Sequence, residues 1–338
     1  MEIKYKPDHQ DCLHNNPGAP RIILGGDFVF DEELLSQLAD RGYDQKIILD
    51  KKIRSILGAD DPFYFNFEGV ISDKGEARLK ALPRYFSFRS PPEIIPFMRS
   101  LSNPIMSLAN NHVMDFGREA LEDMLRLLSA QNIHYVGAGE NESQARHMLT
   151  FTHKALKIGL LAYTDLLPSD DYATNIGPGA AKLTLENLRD DLGGARKIAD
   201  FVIVSLHTIK KLNSPFSLLP DTQQTLFSRK AIEYGADVVF GHQPHGLQRQ
   251  ELFRGKPIFY SLGAVVYNPR LGEYFRPGHE FHESTQVYGG GIAVIRFCQH
   301  GFFSADIIPT RAVVGPEGMI SVVVGHDAKN ARPECRVF

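Results

Sequence analysis

The sequence predicts an α/β fold in which helices cover sheets. Three observations carry the prediction. Strand-like apolar runs alternate with amphipathic helical stretches along a chain of 338 residues. Some of those runs, ADFVIVSLH at 199–207 and ADVVFGH at 236–242 among them, are apolar almost throughout, as in sheets buried on both faces. Several runs also end on a polar residue, and sites in α/β sheets form at the carboxyl ends of strands.

Taken in order, RIILGGDF (21–28), PFYFNFE (62–68) and NPIMSLA (103–109) read as strands. DEELLSQL, from Asp31, reads as a helix with Asp31 as its cap. Residues 117–130 place Ala120, Met124, Leu127 and Leu128 on one helical face. IHYVGAG is a further strand, and MLTFTHKALKIGLLAYT reads as two strands joined near Ala155–Lys157. Helices are expected at 184–199, capped by Thr184, and at about 221–234, capped by Asp221. LQRQELFRGKPIFYSLG suggests two strands turning at Arg254–Gly255, and GGGIAVIRF with GFFSADIIPT suggests a hairpin. Two long loops, 165–183 and 268–289, are either functional or plain surface excursions. The second carries Arg270, Arg276, His279 and His282.

The bulk composition excludes several classes. With 43% hydrophobic and 23% charged residues the chain is an ordinary globule, and its formal charge of −3 gives no drive toward nucleic acid or an acidic membrane surface. Three cysteines, Cys12, Cys298 and Cys335, form neither a disulfide framework nor a thiolate metal site. The N-terminus is polar and lacks an apolar signal region, and no run reaches the roughly 18 apolar residues of a spanning helix. A cytoplasmic setting is therefore expected, with oligomeric state open. The expected organisation is a polar arm at 1–20, one main domain at 21–312 and a C-terminal extension at 313–338.

The ionisable residues gather at strand ends. Asp27 closes IILGG, Glu68 closes FYFNF, Asn110, Asn111 and His112 follow IMSLA, His207 closes FVIVSL, and His242 and His245 follow DVVF. A lone histidine there is usually just hydrogen-bonded. The joint pattern of carboxylate, amide and imidazole instead suits Zn, Mn or Fe rather than a thiolate site. A carboxylate between two metals about 3.5–4 Å apart is the usual two-metal arrangement. In NNHVMD, Asp115 either steadies His112 as an acid–base group or caps the helix of 117–130, and both can hold. Other patterns fail. HEFHE at 279–283 spaces its histidines by three rather than four, GGGIAV lacks a following helix, and neither a G-x-S-x-G elbow nor a P-loop occurs.

GGDF, NFEGVISDKG, YFSFRSPPE, SLANNHVMDFG, DVVFGHQPHGLQ and GKPIFYSLG, in this order from about Ile22 to Phe297, give the chain a family likeness. It resembles the CapA family, the poly-γ-glutamate capsule synthesis proteins, relatives of the calcineurin-like metallophosphoesterases. The resemblance implies a four-layer α/β/β/α sandwich, two central mixed sheets flanked by helices, with a site for one or two divalent metal ions (Mn, Zn or Fe). Asp27 would bind the first metal, Glu68 would bridge, Asn111 and His207 would bind the second, and His242 and His245 would each reach one. His112, steadied by Asp115, would be the proton donor or acceptor. Departures are visible too. Val29 stands where the phosphoesterases place a histidine, Lys211 replaces an acid, and Ala264 replaces the Asn of Ser-Leu-Gly-Asn.

The leading expectation is a cytosolic metal-dependent hydrolase of a phosphoester or of a γ-glutamyl or peptide amide, using a metal-activated hydroxide. Arg84, Arg89, Lys210, Lys211 and Arg270 are candidates to hold an anionic small-molecule or peptide substrate, against the plainer reading of solvated surface charge. A peptide epimerase exchanging a Cα proton, and a non-catalytic binding protein on a degenerate scaffold, stand as alternatives.

Overall fold

The computed structural model describes residues 2–4, 20–58, 60–78, 87–209, 219–268, 289–298, 301–315 and 318–324. Two mixed sheets lie face to face. In the first, Arg21–Phe28, Phe63–Phe67, Pro104–Ser107 and His134–Val136 run parallel, each beside the next. Gly289–Cys298 joins Arg21–Phe28 antiparallel, followed by Gly301–Val314. In the second, Leu156–Thr164, Phe201–His207, Val238–His242 and Lys256–Phe259 are parallel. Leu149–His153 and Gln250–Phe253 close its edges antiparallel.

The apolar side chains sort by face, as the period of two requires. Leu24, Tyr64 and Ile105 of the first sheet meet Leu160, Ile203 and Phe240 of the second in one buried layer. On the outer face of the first sheet, Ile23, Phe28 and Phe65 pack against Leu34, Leu38, Met124 and Leu128. On that of the second, Val202, Val204 and Val239 pack against Leu188, Leu192 and Ile232. The architecture is therefore a four-layer α/β/β/α sandwich. Burying side chains of this size contributes about 1.5–3 kcal/mol each. Polar stitches cross the middle layer: Tyr64 Oη donates to the Leu161 carbonyl at 3.0 Å, and Ser205 Oγ to Ser107 Oγ at 3.2 Å.

Local chemistry explains the elements. Asp31, Asp50, Thr184 and Asp221 each cap a helix by accepting a backbone N–H, and Asp221 with Gln224 completes a capping box. The helix after Thr184 stops at Ala195, short of the expected 199. The hairpin turn after His153 is Lys154–Ala155, both at positive φ (47° and 69°), one residue before the expected site. Arg254–Gly255 (51° and 74°) turns where expected. The helices Lys51–Leu57 and Ile95–Ser100 add to the expected elements: each is under two turns long, too short to show a clear period.

The strand Gly301–Val314 runs through the boundary expected at 312, and Ile320–Val324 adds to its edge. The loop at 165–183 is tied down: Gly179–Ala180 pairs with Ala138–Gly139, and Asp171 pairs with Arg78. The other long loop lies outside the described residues from 269 to 288. Among the described residues, no helix is long and apolar enough to cross a membrane.

Candidate metal centre

The polar residues at the strand ends meet at one rim. His207 and His242 end adjacent parallel strands, in register with each other. Asp27 pairs in register with Asn66, whose strand Phe63–Phe67 leads into Glu68. Asn111 and His112 follow Pro104–Ser107 on the next strand over.

Asp27 reaches the space between the sheets because its strand is bulged. Leu24 pairs with Tyr64 and Asp27 with Asn66, so the strand carries one extra residue at Gly25–Gly26. Leu24 faces the inter-sheet layer and Phe28, four residues on, faces the outer helices. On a regular strand the two would share a face; the extra residue reverses the alternation and turns Asp27 inward. Gly26 is also needed for contact, because a Cβ there would lie 2.0 Å from the Gly263 carbonyl oxygen. The same holds at Gly241, where a Cβ would lie 2.2 Å from the Tyr260 oxygen.

The side chains form one network. Asp27 Oδ1 accepts from His242 Nδ1 and from Asn66 Nδ2, each at 2.9 Å. Its Oδ2 accepts from His245 Nδ1 at 2.9 Å. Glu68 stands between the two halves, with Oε2 3.7 Å from His245 Nδ1 and Oε1 3.8 Å from His207 Nε2. His207 Nε2 donates to Asn111 Oδ1 at 2.8 Å and to Gln243 Oε1 at 2.6 Å. Asn66 Nδ2 also donates to His207 Nδ1 at 3.3 Å, and Asn110 Nδ2 donates to Asn66 Oδ1 at 3.1 Å. The structure thus brings Asp27, Glu68, Asn111, His207, His242 and His245 together.

Burial sets the electrostatics. Asp27, His207 and His242 are fully buried and Glu68 nearly so. Burial alone would raise Asp27, but the hydrogen bonds and charge of His242 and His245 outweigh it and hold the carboxyl well below its usual range. Burial pushes His207 down to about 3, so it is neutral. Burial also works against charge on His245, but Glu68 and the bond to Asp27 raise it to about 9.

His112 sits at the edge of this network. Its Nδ1 donates to Asp115 Oδ2 at 2.8 Å, and its Nε2 lies 3.6 Å from Glu68 Oε1. Asp115 Oδ2 also accepts from Phe88 N at 2.9 Å. The capping alternative for Asp115 is excluded: the cap position of helix Gly117–Ala130 is Phe116, with no side-chain cap bond.

The donor set fits a divalent cation. Asp27, Glu68 and His245 offer ligand atoms all within 4.8 Å of one another. The buried Nε2 of His242 has no hydrogen-bond partner among the described residues. Carboxylate, imidazole and amide oxygen together suit Mn, Fe or Zn.

Arg84, Lys210, Lys211 and Arg270 lie outside the described residues. Arg89 spends Nη2 on the carbonyls of Lys74 and Gly75, and its guanidinium lies 3.7 Å over the Phe116 ring, so it braces the chain's own loop. Val29 is buried with Phe88, Ala264 and Tyr267 in a small apolar pocket, which fills the place where the resemblance led to a histidine. Sequence reasoning misses Asn66 and Gln243 and assigns Asn110 no role. Asn66 sits inside a strand-like run, where an amide facing a core needs a partner, and that is the available signal. Gln243 carries none, because its reach depends on the turn: Gln243 and His245 take φ of +94° and +52° around Pro244. Each such non-glycine residue costs on the order of 1–3 kcal/mol.

Comparison with known proteins supplies the family. The family model for bacterial capsule synthesis protein PGA_cap matches residues 21–269. The PGA biosynthesis protein CapA of Bacillus subtilis (strain 168) is 26% identical over 257 residues, 74% of this chain and 66% of that protein. A probable polyglutamine synthesis accessory protein of Mycobacterium tuberculosis (strain CDC 1551 / Oshkosh) is 29% identical over 219 residues, 62% of this chain and 56% of that one. The matches thus span about half to two thirds of these relatives' length. Among solved structures, a hypothetical protein from Thermus thermophilus aligns over 86% of this chain and 98% of its own, with 11% identity and a TM-score of 0.49. A 5'-nucleotidase precursor from the same organism aligns over 86% and 54%, with 12% identity and a TM-score of 0.41. With the model matched from the first long strand to the residues beyond the rim, the chain belongs to the PGA_cap family of bacterial capsule synthesis proteins.

Proposed function

We propose that the chain is a metal-dependent hydrolase of the CapA type, acting on a phosphoester or on a γ-glutamyl or other amide bond. One observation carries the reading: six polar side chains from five strand ends, spread from Asp27 to His245, form a single buried cluster around Glu68. Asp27, Glu68, His242 and His245 would hold one divalent ion, and Glu68, Asn111 and His207 a second. Such an ion polarises a substrate oxygen and lowers the pKa of bound water.

The chain's own groups supply the rest. Asp115 holds His112 through Nδ1, which leaves Nε2 facing Glu68 as the atom that gives or takes a proton. Asp115 also steadies the charge His112 gains when it carries two protons. His207 would hold the ion through Nε2, the nitrogen that faces Asn111, Gln243 and Glu68. The resemblance to the poly-γ-glutamate capsule synthesis proteins directs the choice of substrate toward γ-linked glutamyl chains, with an aryl phosphate as the comparator.

The test is purification, metal analysis and turnover of both substrates by the full chain and by His112→Ala. Turnover that disappears with chelation, returns with Mn2+ and falls at least about 100-fold in His112→Ala is expected. Turnover indifferent to chelation would overturn the reading. So would deuterium entering a peptide Cα without cleavage, which would mark an epimerase.

A further inference from the structure

Gln243 is the member of this rim that no strand end announces. It lies between His242 and His245, inside the turn that carries both. Its amide oxygen is 2.6 Å from His207 Nε2, on the side where Asn111 Oδ1 lies at 2.8 Å and Glu68 Oε1 at 3.8 Å. Gln243 is partly exposed, whereas His207 is fully buried, so the amide stands between solvent and the imidazole.

Its backbone makes this placement informative. A residue before proline is driven toward extended φ near −120°. Gln243 precedes Pro244 yet has φ of +94°, a region that glycine occupies without penalty. The turn therefore keeps a side chain where backbone alone would be better served by none.

We propose that Gln243 is a ligand of the second metal position, donating its amide oxygen beside Glu68, Asn111 and His207. This inference rests on the metal-centre reading above. Three oxygens and one nitrogen make that position harder than an imidazole-rich one, and so better suited to Mn2+ than to Zn2+.

The test is Mn2+ binding to the full chain by calorimetry, with metal counted after dialysis, in the parent, Gln243→Ala, Gln243→Gly and Gln243→Glu. The parent is expected to bind two Mn2+. Gln243→Ala and Gln243→Gly should keep one and bind the second about 10-fold to 100-fold more weakly. Gln243→Glu, which restores an oxygen donor, should recover it. Thermal melting without added metal separates a ligand from a brace: Gln243→Gly should melt at or above the parent temperature, because it relieves the backbone. Equal affinity for both ions in parent and Gln243→Ala would overturn the role of Gln243 and leave the metal centre standing. A parent that binds no Mn2+, Zn2+ or Fe2+ would overturn both. A Gln243→Gly variant that melts lower, with its metal binding intact, would make the residue a structural brace and overturn the proposal.

Discussion

The strand Arg21–Phe28 carries a buried carboxylate cluster at each end, and the two are built differently. At its amino end, Arg21 Nε pairs with Asp61 Oδ2, and His153 Nε2 lies 3.7 Å from Asp61 Oδ1. At its carboxyl end, Asp27 meets two imidazoles and an amide, with Glu68 close by. A guanidinium is always charged, so Asp61 is neutralised by the chain itself. Imidazoles neutralise only when protonated: burial leaves His207 uncharged, while Glu68 and the bond to Asp27 keep His245 charged between the two carboxylates. The lesson is one of completeness. One end is a finished ion pair; the other shares His245 between Asp27 and Glu68 and leaves the buried Nε2 of His242 without a hydrogen-bond partner among the described residues, and a divalent cation from outside would take the place of the imidazole proton.

Four measurements put that contrast at risk. The largest effect is expected from Asp27→Asn, which should lower bound divalent metal at least about 10-fold by elemental analysis, while Arg21→Ala leaves it unchanged. Equal metal content in both variants would erase the distinction. Next, metal at about 100 times its Kd should stabilise the parent by about 2.7 kcal/mol and raise its melting temperature by several degrees. Asp27→Asn should show little of that gain.

Third, Arg21→Ala should cost about 1–3 kcal/mol in urea unfolding, because Asp61 loses its charged partner. The Arg21 side chain is 38% exposed, which favours the lower part of that range. The smallest effect concerns pH. Burial holds His153 below its usual value despite Asp61, so the folded chain resists protonating it. Its contribution is present above pH 6.5 and is lost as pH falls below that value. The parent should therefore lose more stability between about pH 7 and pH 5 than His153→Gln does, as read by unfolding midpoints.

Much of this molecule can be read from its sequence, for physical reasons. The buried parallel strands are continuous apolar runs, and helices such as Thr222–Tyr234 announce themselves by their caps. Asp27, Glu68, His207 and His242 stand at the ends of such runs, where parallel register brings them level. What stays hidden depends on third partners. The role of Asp115 is fixed by His112 together with Phe88, a residue distant in sequence. Asn66 is defined by its neighbours Asp27 and His207, and Gln243 by an unusual turn. Arg89 looks available to an anion because nothing in its own segment reveals Phe116 or the carbonyls of Lys74 and Gly75.

The doubled glycine before Asp27 has a reach beyond its size. Since neighbours along a strand point to opposite sides, pairing both Gly25 and Gly26 in regular alternation, with no residue bulged out, would exchange the outlooks of Asp27 and Phe28. A carboxylate would then press on the helical layer and a phenyl ring would enter the polar rim, although every side chain kept its identity. Spacing, as much as residue type, thus decides whether this sandwich has a reactive edge.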